Sequence, residues 1–368
     1  MSVLSISDGG IISMRDDRFS FFPGITMLDE NMRIASQHVG SSCSHEDNDL
    51  EVLRSHDRGV TWNSDGLIHG GKNHEGWAYR APQITHLSSG QLVLLAMRSR
   101  EKGSDLYDLD SGTMQESELI LYQSQDQGRT WAGPSPIEFK LPVKGCSAAP
   151  CAKLIEINPG RWMVALETWK GAAYEDGDYQ RAAAIFSDDG GKSWGEFTTV
   201  ASDPDNQCYY WDQMCAKLPD GRILTYLWTH VAGKNEWLNN HWTISEDDGR
   251  TWSQPAPTNI HGQVCYPIPL QDGSVAVIYN QRTYPHGIRV AMARDDFSNF
   301  DIENEVEVFS ARDDMVKGEE SEDFLTEHCR INFGRPGGFQ LPDGDLMTYF
   351  WCTKKNITHT RWVKLRLG

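Results

Sequence analysis

Four copies of one short phrase constrain this chain more than anything else in it. SHDRGVTW (55–62), SQDQGRTW (124–131), SDDGGKSW (187–194) and SEDDGRTW (245–252) share one spacing of Ser, Asp, Gly, Thr or Ser, and Trp. In such a phrase the aspartate bonds to amides of its own turn and the glycine takes a positive φ. The tryptophan then buries a large ring between neighbouring strands. Asp57, Asp126, Asp189 and Asp247 therefore read as turn-builders, and the phrases as scaffold rather than catalytic motif.

A second repeat is more complete. Tight turns recur at LDENMR (28–33), LSSGQL (87–92), INPGRW (157–162), LPDGRI (218–223), LQDGSV (270–275) and LPDGDL (341–346). Each lies between a short apolar stretch and a β-rich one, and Asp-Gly in that setting is a strong hairpin signal. The unit is strand A, tight turn, strand B, variable loop, strand C, tryptophan phrase, strand D. Six such units account for nearly the whole chain. The sixth ends at THTRWVKLRLG (358–368) with room for three strands, and VLSISDGGIISM (3–14) can supply the fourth. The expectation is an all-β fold: a six-bladed β-propeller of four-stranded antiparallel blades, one domain over residues 1–368, closed by the N-terminal strand.

This spacing also makes the phrase the Asp-box, or bacterial neuraminidase repeat, and nearly the whole chain resembles the sialidase-like six-bladed propeller superfamily. The resemblance implies that the boxes lie on the C–D turns, away from the active site. It also implies a glycosidase acting on a terminal, acidic sugar such as a sialic or uronic acid. Sialidases grip the sugar carboxylate with an arginine triad, and Arg80 in YRAP resembles their Arg-Ile-Pro stretch. That stretch falls in the second unit here; the first has FFPGI and no arginine. Sialidases divide the chemistry between a loop aspartate and a tyrosine activated by a glutamate. Tyr266, Tyr284 and Tyr349 all remain open for the tyrosine.

If C–D turns mark one face, A–B turns share it, and the other face is built from the starts of A strands, the ends of B strands and the loops beyond. Those stretches hold Arg80, Arg98, Arg100, Arg282 and Arg335, with Glu167, Asp212, His38, His230, Tyr210, Trp211, Tyr266 and Tyr284. So many ionisable groups near one axis imply a ligand or a water-filled mouth. Arginines suit bidentate recognition of a carboxylate. Arg80 and Arg335 are the first candidates, then Arg282, Arg98 and Arg100, with Trp211 as a sugar-stacking ring.

Glycoside cleavage needs an acid and a base or nucleophile. Glu167, after an apolar strand, and Asp212, beside Tyr210 and Trp211, are the leading carboxylates. Asp47 and His45 of the first B–C loop, His230, Tyr210 and Tyr266 complete the set. Two other readings stay open. A uronate lyase would use a histidine (His38, His45, His74 or His230) with Tyr and Arg around a carboxylate. A non-catalytic propeller would bind carbohydrate alone.

A net charge of −18 argues against a nucleic-acid groove or an anionic membrane as partner. No run of 18 apolar residues and no basic start with an apolar core are found, so a cytoplasmic chain without a membrane partner is expected. Eight cysteines without CxxC pairs point to free thiols. No metal or cofactor is expected; a small carbohydrate is the expected partner, and homo-oligomerisation is left open.

Overall fold

The computed structural model describes residues 3–69, 76–100, 106–108, 111–175, 180–205, 207–234, 236–294, 296–311 and 332–368. Glu75 and Glu327, acidic residues that the sequence offers as pairing partners for the arginines, the lyase candidate His74, and Asp105 and Asp110 of the second B–C loop lie outside them.

Six sheets are arranged as blades. Their inner, A strands are Phe19–Met27, Ala78–His86, Cys146–Pro150, Cys208–Lys217, Cys265–Pro269 and Phe333–Gln340. Blades 1 to 5 each follow the order A-B-C-D outward, with a short extra strand, Ile155–Asn158, in blade 3. In blade 6 the N-terminal strand Leu4–Ser13 pairs antiparallel with Ile357–Leu367, from Leu4↔Leu367 to Ser13↔Thr360. The last blade thus takes its outer strand from the other end of the chain, which closes the ring and removes two open edges.

The core is divided among the seams. Ile34, Leu50 and Tyr79 pack between blades 1 and 2, Leu121 and Val164 between 2 and 3, and Met163 and Leu227 between 3 and 4. Tyr226 and Val277 fill the next seam, Ile278 and Phe350 the fifth, and Ala35 with Met347 the sixth. Each buried aliphatic side chain contributes roughly 1.5–3 kcal/mol relative to exposure.

The boxes fasten these seams. In the first, Thr61 N and Oγ1 donate to the Asp57 carboxylate at 2.9 and 2.6 Å, and Gly59 N donates to Ser55 Oγ at 2.8 Å. The same set recurs at Asp126, Asp189 and Asp247. Gly128, at φ 81°, is so tight against blade 1 that a Cβ there would meet Ile34 Cδ1 at 2.4 Å. The boxes and A–B turns share one face: Arg58 N donates to Asn31 O at 2.8 Å and Gly190 N to Gly160 O at 2.9 Å. The opposite face carries the B–C loops and the upper ends of the inner strands.

Candidate functional site

Four of the inner strands break register near that opposite face, between Phe21 and Gly24, Arg80 and Gln83, Trp211 and Met214, and Gly334 and Gly337. Each break holds a non-glycine residue in the left-handed region: Phe22 (φ 51°), Ala81 (51°), Asp212 (46°) and Arg335 (46°). Such bulges re-aim side chains, and strain of this kind collects at functional sites.

Asp212 and Glu167 form the centre of the cluster. Asp212 N donates to Glu167 Oε2 at 2.6 Å, and Trp169 Nε1 donates to Oε1 at 2.9 Å. Glu167 is 8% exposed, whereas the Asp212 side chain is 18% exposed, so Asp212 is the more accessible of the two. Burial, reinforced by the Asp212 charge, pushes Glu167 up to about 7. Burial also raises Asp212, against the opposing pull of Arg335, Arg282 and a Gln263 hydrogen bond.

The cations arrive from blades 5 and 6. Arg335 Nη1 lies 3.9 Å from Asp212 Oδ1, and Arg335 Nη2 donates to Cys151 O. Arg282 Nε donates to Gln263 Oε1 at 2.6 Å, and its guanidinium lies 4.2 Å from the Phe333 ring centroid. Burial lowers Arg282 to about 9 despite the Asp212 charge. Cys151 is buried beside the pair, its thiol held well up by burial and by Glu167. The described cysteines are all free thiols, Cys146 and Cys151 included.

Arg80 joins from blade 2. Its Nη1 donates to Ser44 Oγ and its Nη2 lies 3.9 Å from Cys43 Sγ, both on the first B–C loop. The guanidiniums of Arg80 and Arg335 lie 6.0 and 5.8 Å from the Phe22 centroid, which keeps them under about 12 Å apart. One sugar-sized ligand can span that gap. On the same loop Asp47 is hydrogen-bonded by His45 Nδ1 (2.6 Å) and by Ser41 N and Oγ (3.0 and 2.7 Å). Partial burial works to raise Asp47, but the Ser41 and His45 bonds outweigh it and leave it lowered.

Arg98, Arg100, Tyr210, Trp211 and His230 do not join this cluster, whereas Tyr266 borders it. Arg98 and Arg100 pair with Glu118 (2.5 Å) and Glu116 (3.6 Å) on the adjacent C strand side and lie over the Trp77 ring at 4.5 and 4.1 Å. Tyr210 packs in the seam between blades 3 and 4, its N donating to Gln180 Oε1 at 2.9 Å, and burial pushes it up to about 12. Trp211, 2% exposed, stacks on Trp169 at 4.2 Å and donates to His230 Nε2 at 2.7 Å. That bond places Trp211 and His230 in an aromatic pack with Trp228, and burial lowers His230 to about 4. Tyr266 packs in the seam between blades 5 and 6, within electrostatic reach of Arg335, and burial raises it to about 12.

His38 was a further candidate. Its Nε2 donates to Cys43 O (3.1 Å) and its Nδ1 accepts from Ala81 N (3.3 Å), so the ring is a neutral brace for the blade 2 bulge. Burial and Arg80 hold it well below the usual histidine range. Phe22 is the residue that sequence reasoning passed over, since it occupies the place where an arginine was sought; the Phe-Pro-Gly that bends its strand was its only signal. Among the described residues, no three His, Cys, Asp or Glu side chains converge as metal ligands.

The chain matches no protein-family model and no curated protein. Solved structures do match. A Dyadobacter fermentans protein of unknown function aligns over 99% of both chains at 17% identity, with a TM-score of 0.76. A Penicillium chrysogenum α-L-arabinanase, complexed with arabinobiose, aligns over 98% of both at 15% identity and TM-score 0.66. The Streptococcus pneumoniae NanB sialidase aligns over 97% of this chain and 70% of its own, at 16% identity and TM-score 0.64. The likeness is one of fold, and it makes this chain a six-bladed propeller structurally similar to sialidases and to an arabinanase.

Proposed function

We propose that the chain is an exo-glycosidase that hydrolyses a terminal, acidic sugar at the mouth opposite the boxes. The observation that carries this reading is the Glu167–Asp212 pair, with a carboxyl pushed up to about 7 and two arginines around it. Carboxyl groups whose environments move their proton affinities in opposite directions are suited to acid and base roles. In this reading the pair holds a proton near neutrality, and Asp212, the more accessible member, delivers it to the leaving oxygen. Asp47, lowered by its hydrogen bonds, stays ionised and serves as the base across the sugar, with His45 holding its carboxylate. Arg80 and Arg335 bind the substrate anion and Arg282 balances the charge on Asp212.

The arabinobiose complexed with the similar arabinanase supports a sugar ligand. For a lyase, His38 is a poor base because both of its ring nitrogens are engaged inside the protein, and His230 is bound by Trp211 within an aromatic pack. His45, held at Nδ1 by Asp47, is the described histidine that such a reaction would use, and an unsaturated product from a uronide would point to it. A binding module would gain nothing from a buried proton-holding pair that costs folding free energy.

A screen of aryl sialosides, uronides and neutral glycosides tests the reading. Release from an acidic glycoside is expected, with Asp212→Asn lowering kcat about 10²–10⁴-fold and Arg80→Ala raising KM. Release from none, or from neutral glycosides alone, refutes it.

A further inference from the structure

Phe22 combines features that rarely coincide. It is an aromatic residue at φ 51°, a backbone conformation that glycine adopts freely and bulky side chains avoid. It is only partly buried, at the upper end of an inner strand. Its ring is backed by His38, with centroids 5.1 Å apart, and by Trp351, stacked at 6.1 Å and 20°. The guanidiniums of Arg80 and Arg335 both approach it, from blades on either side.

We propose that Phe22 is the positioning residue of an anion clamp: its ring holds the Arg80 and Arg335 guanidiniums at the spacing that selects a sugar monocarboxylate over a neutral sugar. This inference rests on the reading of the mouth as an acidic-sugar site. Two like charges under about 12 Å apart repel one another, and each is attracted to the negative face of an aromatic ring. A single ring that both guanidiniums approach therefore offsets the repulsion and limits both side chains to few orientations before the substrate arrives. Preorganisation of this kind appears as affinity. The backing must be uncharged for the ring to act this way, and the neutral His38, with both nitrogens engaged, meets that need. The bulge explains the placement. Two residues between Phe21 and Gly24 are left out of the ladder with blade 1's B strand, so Phe22 is freed from the seam-facing alternation that buries Phe21.

The test is binding of free N-acetylneuraminic acid and glucuronic acid, with glucose as the neutral probe, by calorimetry. Phe22→Leu keeps an apolar side chain but loses the π face. It is expected to weaken whichever acid the wild type binds about 5–30-fold without a matching change for glucose. Phe22→Tyr, which keeps the face, restores binding. With a cleavable glycoside of that acid, the loss falls on KM rather than kcat. Should Phe22→Leu fail to fold, pentafluorophenylalanine at position 22 keeps the ring shape while reversing its quadrupole, and the same loss is expected. Unchanged acid affinity in these variants, or equal weakening of acid and neutral sugar, overturns the clamp. Wild-type protein that binds neither acid overturns both the clamp and the acidic-sugar reading. Acid binding that depends on Phe22 in a protein that cleaves nothing sustains the clamp and refutes only the glycosidase.

Discussion

Replacing Glu167 by Gln should change the pH dependence of stability in a direction set by its burial. The ordinary glutamate value is 4.5, and burial beside Asp212 raises Glu167 to about 7. That difference corresponds to about 3 kcal/mol between protonated and ionised forms. Between these pH values the folded state keeps a proton that the unfolded chain has released. Stability from this group is therefore full below pH 4.5, is lost as pH climbs to about 7, and levels off above.

Gln removes the titration but has one acceptor oxygen where the carboxyl met two donors, Trp169 Nε1 and Asp212 N. One buried N–H then faces an NH₂ group, at a cost of about 1–3 kcal/mol. The variant should be less stable than wild type at pH 5 and comparable to or more stable than it at pH 8. The gap closes by about 2.5 kcal/mol across that range, the rest of the span having been lost below pH 5. Urea unfolding of both proteins at pH 5, 6, 7 and 8 measures this. A stability difference that stays constant from pH 5 to 8, or widens, would refute the buried-proton argument.

Other predictions concern the scaffold and the rim of the site. Gly128→Ala forces a Cβ toward Ile34 at a φ of 81°, so stability should fall by about 1–3 kcal/mol; thermal melting reads this, and turnover by the folded protein should be retained. The box aspartates Asp57 and Asp189 are lowered to about 2, chiefly by hydrogen bonds from Thr61 and Ser193. Their contribution is complete above pH 3.8 and is lost as pH falls toward 2; a melting temperature that stayed level over that interval would contradict this. Arg98→Ala breaks a partly exposed pair with Glu118 and removes the guanidinium from the Trp77 ring, and should cost about 1–2 kcal/mol, with KM for the acidic glycoside unaltered.

The sequence made the scaffold legible because its information is local. An Asp-Gly turn or a box needs only neighbouring residues, so blade count, ring closure and the identity of the two faces could all be read. The same repeats directed attention to Glu167, Asp212, Arg80, Arg335 and Arg282 at the opposite end. Side-chain direction was harder, because it depends on register. Four bulges each shift the two-residue alternation at the ends of their inner strands, where Phe22 and Asp212 sit, while Tyr210 and Tyr266 pack into seams. Pairings of residues far apart in sequence were equally hidden. Glu118 sits opposite Arg98 only because two strands joined by a long loop align in that register. Phe22 was missed for a related reason: its role comes from two arginines carried by other blades.

The central claim is that the Asp212–Glu167 pair performs acid catalysis on a terminal acidic glycoside, on the face away from the boxes. The most direct measurement is kcat on the best aryl glycoside of an acidic sugar, for wild type and Asp212→Asn, from pH 5 to 9. The account predicts a wild-type rate that falls as pH rises past about 7, where the pair loses its proton, and a loss of about 10²–10⁴ in the variant. An Asp212→Asn enzyme that keeps wild-type turnover, or a wild-type rate unchanged between pH 6 and 9, would contradict it.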